Sequence, residues 1–202
     1  MTAPLEDATL RGEDWWGEDL SGRSFLRCAL LDVDLSETTS VGATFEDCTF
    51  TGCRLSAGRH EASAFRGCRF TACSFTTAEF TDCTVLGSAF ADCSLRPLRV
   101  TGGDWSFTTL VDADLRGAVF TGVRLREVDL RGADLTGATV TDADLSGAVL
   151  DDSRWSGADL RGSDLSALDP RDAELAGAQV DVTQAVVLVT TLGLRVGPDA
   201  PG

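Results

Sequence analysis

The 202-residue chain contains no lysine, asparagine, isoleucine or tyrosine, and its single histidine is His60. The four missing amino acids have A/T-rich codons, which points to a GC-rich gene and carries nothing about mechanism. One histidine set in a repeat supplies no geometry for a Ser–His or Cys–His dyad. Seven cysteines are present, but no C-x2-C occurs, and the shortest spacing of five is wrong for a zinc knuckle. There is no glycine loop of the phosphate-cradling kind. The longest apolar run, Ala185 to Val189, is far too short to cross a bilayer, and MTAPLEDATL shows no secretory leader, so a cytoplasmic protein is expected. Basic charge is scarce as well: 17 arginines stand against 32 acids, a net charge of −15. That balance argues against direct nucleic-acid binding and against an anionic membrane face, and favours a basic partner. The many carboxylates recur without any pair singled out. The sequence therefore reads as a non-enzyme with no cofactor and no metal site.

What is there is a period of five whose register never slips. From Leu10 to Val180 every fifth residue is apolar in 32 of 35 cases, the exceptions being Ser40, His60 and Pro170. Nine of ten Phe and three of four Trp keep this register, and only Phe107 and Trp16 fall outside it. Taking the apolar centre as i, position i−2 is small or a cysteine, i−1 is often Asp, and i+2 is Gly in 16 repeats. The segments ADLRG (113–117), ADLTG (133–137) and ADLSG (143–147) show the whole unit. Neither a helix nor a strand accommodates a strict five. A chain that turns a corner every five residues does, with i−2 and i pointing inward and glycine relieving the corner. Four sides close a square coil of 20 residues, and stacked coils pair as parallel strands.

This pattern resembles the pentapeptide-repeat proteins. The resemblance implies an all-β solenoid, a right-handed quadrilateral parallel β-helix of about 8–9 coils with a short C-terminal helical cap. The corresponding organisation is a lead-in at 1–7, the β-helix at 8–180, and a cap and dimerisation segment at 181–202.

With four units per coil, residues 20 apart stack. Phe25, Phe45 and Phe65 share one inner column, and Phe50, Phe70 and Phe90 another. Cys28, Cys48 and Cys68 form one thiol column, Cys53, Cys73 and Cys93 a second, and Cys83 stands alone. Such stacked thiols are expected to be a reduced packing ladder. His60 falls directly over Ser40, a local polar spot in the core, and Pro97 and Pro170 mark irregular places because proline donates nothing to a ladder.

The charge sorts unevenly on the same arithmetic. The edge at positions 12 and 14 of each coil carries Asp14, Asp32, Asp34, Asp92, Asp112, Asp114, Asp134, Asp152, Asp172 and Glu174 against Arg54 and Arg154. The other three edges hold four or five acids each. Thirty-five units give a rod of about 42 Å at ~4.8 Å per coil. Duplex DNA carries about 25 charges over that length, so a net charge of −15 is roughly 60% of its density.

After Val180 the repeat stops. Asp181 with Gln184 forms a capping box ahead of a short helix, and Gly193 ends it. The helix is too apolar to stand alone: one face plugs the solenoid, and Val186, Val187, Val189, Leu192 and Leu194 are expected to meet a second copy end to end.

Local strings narrow the resemblance. CSLRPLRV (93–100), RLREVDL (124–130), RGADLTGA (131–138), DADLSGA (142–148) and AQVDVTQAV (178–186) are similar to the group that holds the mycobacterial fluoroquinolone-resistance proteins and the Qnr proteins. That resemblance implies a dimeric DNA mimic that binds DNA gyrase and modulates it or protects it from poisons. The Qnr branch carries projecting loops, for which the unbroken register leaves no place. The contact residues expected on the acidic edge are Asp92, Asp112, Asp114, Asp134, Asp152, Asp172 and Glu174. The competing reading is a scaffolding solenoid, acidic for solubility alone.

Overall fold

The computed structural model describes residues 3–197, so Met1, Thr2 and residues 198–202, the outer ends of the expected lead-in and cap segments, lie outside it. Its described residues form fifteen strands of two or three residues and one helix. Every cross-coil pairing joins residues 20 apart. The Leu20 face shows the full ladder, Asp19, Thr39, Arg59, Glu79, Arg99, Val119, Thr139, Asp159 and Gln179, nine rungs all parallel. The Leu5 and Leu10 faces pair in the same way. The Trp15 face is held by single bridges. No insertion rotates one part of the rod against another, so the sorting by 20 holds along its whole length. Pairing begins at Leu5 with Phe25, inside the segment read as lead-in, because Leu5 already occupies a centre position.

The corners explain the composition. Position i+2 adopts a left-handed conformation at sixteen non-glycine residues, Asp7 (φ 54°) through Asp152 (φ 57°), as well as at the repeat glycines. Glycine and aspartate enter this region at least cost. The two chemistries also interlock: a Cβ on Gly52 would sit 2.6 Å from Asp32 Oδ1, and one on Gly67 the same distance from Asp47 Oδ1. A corner aspartate leans over the glycine one coil later, and the pair recurs at a spacing of 20.

The repeat's other aspartate, at i−1, ties the corner. Its Oδ1 accepts the N–H two residues on, as in Asp34 from Ser36 (3.0 Å), Asp134 from Thr136 (3.0 Å) and Asp144 from Ser146 (3.0 Å). Part of the acidity therefore serves the turn.

Inside, the rings stack as the columns predict. Phe25 lies 4.5 Å from Phe45 at 3°, Phe45 lies 4.9 Å from Phe65, and Phe50 lies 4.6 Å from Phe70. The two aromatics outside the register, Trp16 and Phe107, are exposed at 60% and 53%. All seven cysteines are free thiols; six are buried and Cys93 is half-buried.

His60 is buried over Ser40 and its protonation can be deduced. Ser63 Oγ donates to Glu61 O (3.0 Å) and accepts from Ala43 N–H (3.1 Å), so the Ser40 hydroxyl must donate to Ser63 (2.9 Å). Ser40 Oγ then accepts from His60 Nδ1–H (2.8 Å), and Nε2 keeps a lone pair with no partner.

The helix spans Val182–Thr191 behind the expected capping box, with Asp181 and Gln184 reciprocally bonded at 2.8 and 2.9 Å. One face plugs the solenoid as expected, with Leu188 packed against the core, and a polar contact is added to it. The one helix residue fully buried is Gln184, whose Nε2 donates to Leu160 O (2.6 Å) and Ser163 O (2.7 Å). The last coil ends in carbonyls that no further coil can pair, and an amide satisfies them where an aliphatic side chain could not.

Candidate partner-binding edge

The 12/14 edge runs down the Trp15 face, and its acids divide by position. Asp34, Asp114 and Asp134, at i−1, tie their own corners and are paired with arginine. Arg54 meets Asp34 at 2.7 Å, Arg116 meets Asp114 at 2.7 Å, and Arg154 meets Asp134 at 3.3 Å. The Arg54 hydrogen bond holds the Asp34 carboxyl down at about 2. Arg116 lowers Asp114. At Asp134, burial works upward and is outweighed by Thr136 and Arg154.

Two of the arginines were not visible in the sequence sorting. Arg96 reaches Asp114 (3.3 Å), and Arg116 reaches Asp134 (3.8 Å) as well as Asp114. Both sit at i+1, two residues beyond the edge positions, and their length brings them back over it. The signal was available in that offset, but only with the reach of the side chain added.

The corner acids behave differently. Asp92, Asp112, Asp152 and Asp172 are exposed and, with Asp14 and Glu174, have no ion-pair partner among the described residues. Asp92 stands one coil from Asp112, and Asp152 one coil from Asp172, where other corner aspartates face a glycine. Like charges on adjacent intact rungs, about 4.8 Å apart, oppose each other; Asp152 and Asp172 stand so, with Asp152 N–H donating to Asp172 O at 2.9 Å, whereas Asp92 and Asp112 face each other across a gap in the pairing. Of the seven expected contact residues, the four corner aspartates thus carry no ion pair; Glu174, at i−1, accepts from Ser156 Oγ (2.8 Å), and Asp114 and Asp134 are engaged with arginine.

The edge is also split. Its bridges run from Asp14 to Ser94 and again from Asp114 to Glu174, and none joins Ser94 to Asp114 among the described residues. Neighbouring coils pair normally, with Phe75 N–H to Ser94 O at 2.7 Å and Leu115 N–H to Asp134 O at 2.8 Å. Pro97 lies at a corner where Thr77 and Gly117 have φ of 59° and 68°, values its ring forbids, and it has no N–H to donate. The coil is reshaped there, and the Arg96–Pro97 peptide is cis. A cleft of about 420 Å³ opens, lined by Asp92, Cys93, Leu95, Asp112, Ala113 and Asp114 among others.

At the rod's end, Val186, Val187, Leu192 and Leu194 are exposed, together with Val182 and Val196, while Val189 is half-buried. The expected dimerisation residues lie together on the helix and the segment after it. No helix among the described residues is long and apolar enough to cross a membrane. No group of His, Cys, Asp and Glu among them is arranged to hold a metal ion.

Comparison with known proteins agrees with this architecture. Two family models match, a pentapeptide repeat region over residues 43–120 and pentapeptide repeats over 106–137 and 141–175. A search of curated protein sequences finds no match. Among solved structures, a trypsin-treated variant of QnrB1, described as a plasmid-mediated fluoroquinolone resistance protein, superposes with a TM-score of 0.82 at 24% identity. It covers 95% of this chain and 99% of its own. A second trypsin-treated QnrB1 variant gives 0.82 at 23%, covering 96% and 100%. At such identities the likeness is one of fold. With the register of five, the coil of 20 and the matched models together, the chain belongs to the pentapeptide-repeat family.

Proposed function

We propose that this chain is a non-enzymatic ligand of DNA gyrase that occupies a basic DNA-binding groove as a mimic of duplex DNA. It modulates the enzyme or shields it from fluoroquinolone-type poisons in the cytoplasm, where gyrase works. The observation that carries the reading is the line of corner carboxylates without an ion pair, Asp92, Asp112, Asp152 and Asp172, with Glu174 beside them, on a rod whose net charge is roughly 60% of that of duplex DNA of the same length. The full-length likeness to a fluoroquinolone resistance protein supports it. Two copies joined through Val186, Val187, Val189, Leu192 and Leu194 double the acidic length to about 80 Å.

The test is a gyrase supercoiling titration with the wild-type protein beside Asp92→Asn, Asp112→Asn, Asp152→Asn and Asp172→Asn combined. Asparagine keeps the corner geometry and removes the charge. Inhibition by the first and a large loss with the second is expected, with affinity falling steeply as salt rises. Inhibition unchanged in the variant would sink the edge; no effect of either on gyrases from several GC-rich bacteria would sink the target.

The scaffolding reading also has an observation behind it, since the i−1 aspartates are used up in tying corners. Under that reading the four Asn substitutions leave binding to its own protein partner untouched.

A further inference from the structure

We propose that Cys93, with Cys73 stacked beneath it, is a peroxide-reactive dithiol set in the cleft of the acidic edge. Two thiol columns run through this rod, and they form a natural comparison. Cys28, Cys48 and Cys68 are each about 1% exposed or less and lie under an unbroken ladder. Cys53 and Cys73 are equally buried, but Cys93 is the one half-buried thiol of the seven. Its exposure follows from the missing pairing between coils at 92–95 and 111–114. Ala113, the i−2 residue across the gap, is half-buried too, while Ala133 and Ser153 in the same column are buried. The cleft of about 420 Å³ is thus a path from solvent to a single sulfur.

Beneath that sulfur a second thiol is held in register. Ser74 pairs with Ser94, and Ser94 N–H donates to Cys73 O at 2.9 Å, so the two cysteines stand on adjacent rungs. Adjacent parallel rungs are about 4.8 Å apart, within the Cα separation a disulfide spans. Each thiol points to the same kind of acceptor, Cys93 to Phe70 O (3.6 Å) and Cys73 to Phe50 O (3.5 Å). Access separates the two sulfurs: Cys93 is half-buried and lines the cleft, whereas Cys73 is buried one rung below it. The exposed sulfur is therefore the attacking one and the covered sulfur remains a thiol until needed.

The chemistry balances with a hydroperoxide as oxidant. The Cys93 thiolate attacks one peroxide oxygen; the O–O bond breaks, an S–O bond forms, and the departing hydroxide takes up a proton to leave as water. Cys73 Sγ then attacks Cys93 Sγ, an S–S bond forms, the S–O bond breaks, and the hydroxyl leaves with the Cys73 proton as a second water. One peroxide is reduced and two thiols are oxidised. The inference does not depend on the gyrase reading.

The test treats the folded wild-type protein with hydrogen peroxide and follows intact mass and Asp-directed fragments. Cleavage before Asp82 and Asp92 separates Cys73 from Cys93. The expected product has lost two hydrogen atoms, with the fragment beginning at Asp92 tied to the one ending at Thr81. Cys73→Ser should stop at a sulfenic acid on Cys93 that a 1,3-dione captures, and Cys93→Ser should react about tenfold more slowly or not at all. Serine is accommodated at i−2 elsewhere: Ser88 and Ser163 bond Phe65 O and Val140 O at 2.8 Å. Oxidation of the Cys28–Cys48–Cys68 column at the same rate, or a Cys73→Ser protein with no dione adduct on Cys93, would overturn the assignment.

Discussion

Acidification from about pH 7 to about pH 4 should cost this fold about 3 kcal/mol through His60 alone. Burial holds the His60 pKa at about 4, against 6.5 for an unconstrained imidazole. The cause is specific: Nδ1–H already donates to Ser40, so an added proton must go to Nε2, which faces no acceptor. The unfolded chain binds that proton from pH 6.5 downward and the folded chain does not until about 4. Stability is complete above pH 6.5 and drains away as pH falls between the two values, by about 1.4 kcal/mol for each pH unit. The paired carboxylates do not confuse this window. Their pKa values are lowered from 3.8, so their contribution is present above 3.8 and is lost only below it, toward about 2 at Asp34. Guanidinium unfolding midpoints measured across this range for the wild type and His60→Phe isolate the effect. Phenylalanine is the residue of the same column at Phe80 and Phe120, so it suits the site. The wild type should lose stability between pH 6.5 and 4 while the variant stays nearly flat; parallel curves would refute the reasoning.

Two further outcomes follow from close contacts and from exposure. Gly103 stands at an i−2 position with φ 81°, where a Cβ would come within 2.7 Å of Cys83 N, whereas a Cβ on corner Gly87 meets open space. Gly103→Ala should therefore cost about 3 kcal/mol or more in thermal unfolding and Gly87→Ala only about 1 kcal/mol; equal losses would contradict the packing. At the rod's end, Val187→Asp places a charge in the proposed two-fold contact. Removing a valine from each copy costs about 3 kcal/mol, roughly a 100-fold weaker dimer by sedimentation, with the circular dichroism unchanged. A wild-type protein that is monomeric at the same concentration would dispose of the contact.

The fold was legible because the repeat overdetermines it. A single period fixed the side length, the columns of Phe and Cys checked the coil of 20, and Asp181 with Gln184 announced the helix. What escaped was anything that depends on reach or on a missing partner. Counting positions 12 and 14 leaves out Arg96 and Arg116, whose side chains reach Asp114 and Asp134 from i+1. Pro97 marks an irregular corner in the sequence, but the cleft beside it follows from the missing pairing of 92–95 with 111–114 on one face, while the other faces of the same coils stay paired. The apolar face of the helix announces a plug, and Leu188 packs against the core, but the Ser163 carbonyl, which no further coil pairs, is met by the Gln184 amide.

The site was legible only in part for a deeper reason. A sequence count treats every aspartate alike, whereas the two aspartate positions of this repeat do opposite things. At i−1 the aspartate accepts the backbone N–H two residues on, as at Asp34, Asp114 and Asp134, where that bond and arginine hold the carboxyl low, so its charge is tied to the corner it closes. At i+2 the side chain stands outside the coil, and glycine serves the backbone equally well. Acidity at i−1 thus reinforces the corner it precedes, and acidity at i+2 does no such work. The stacked corner acids Asp152 and Asp172 are unfavourable for the isolated rod, since a glycine one coil away would remove the repulsion. Nothing in the fold requires them, and both fall on one edge of four. A partner that brings positive charge to that edge converts the repulsion into binding free energy, which is why neutralising the corners, rather than the i−1 aspartates, separates recognition from folding.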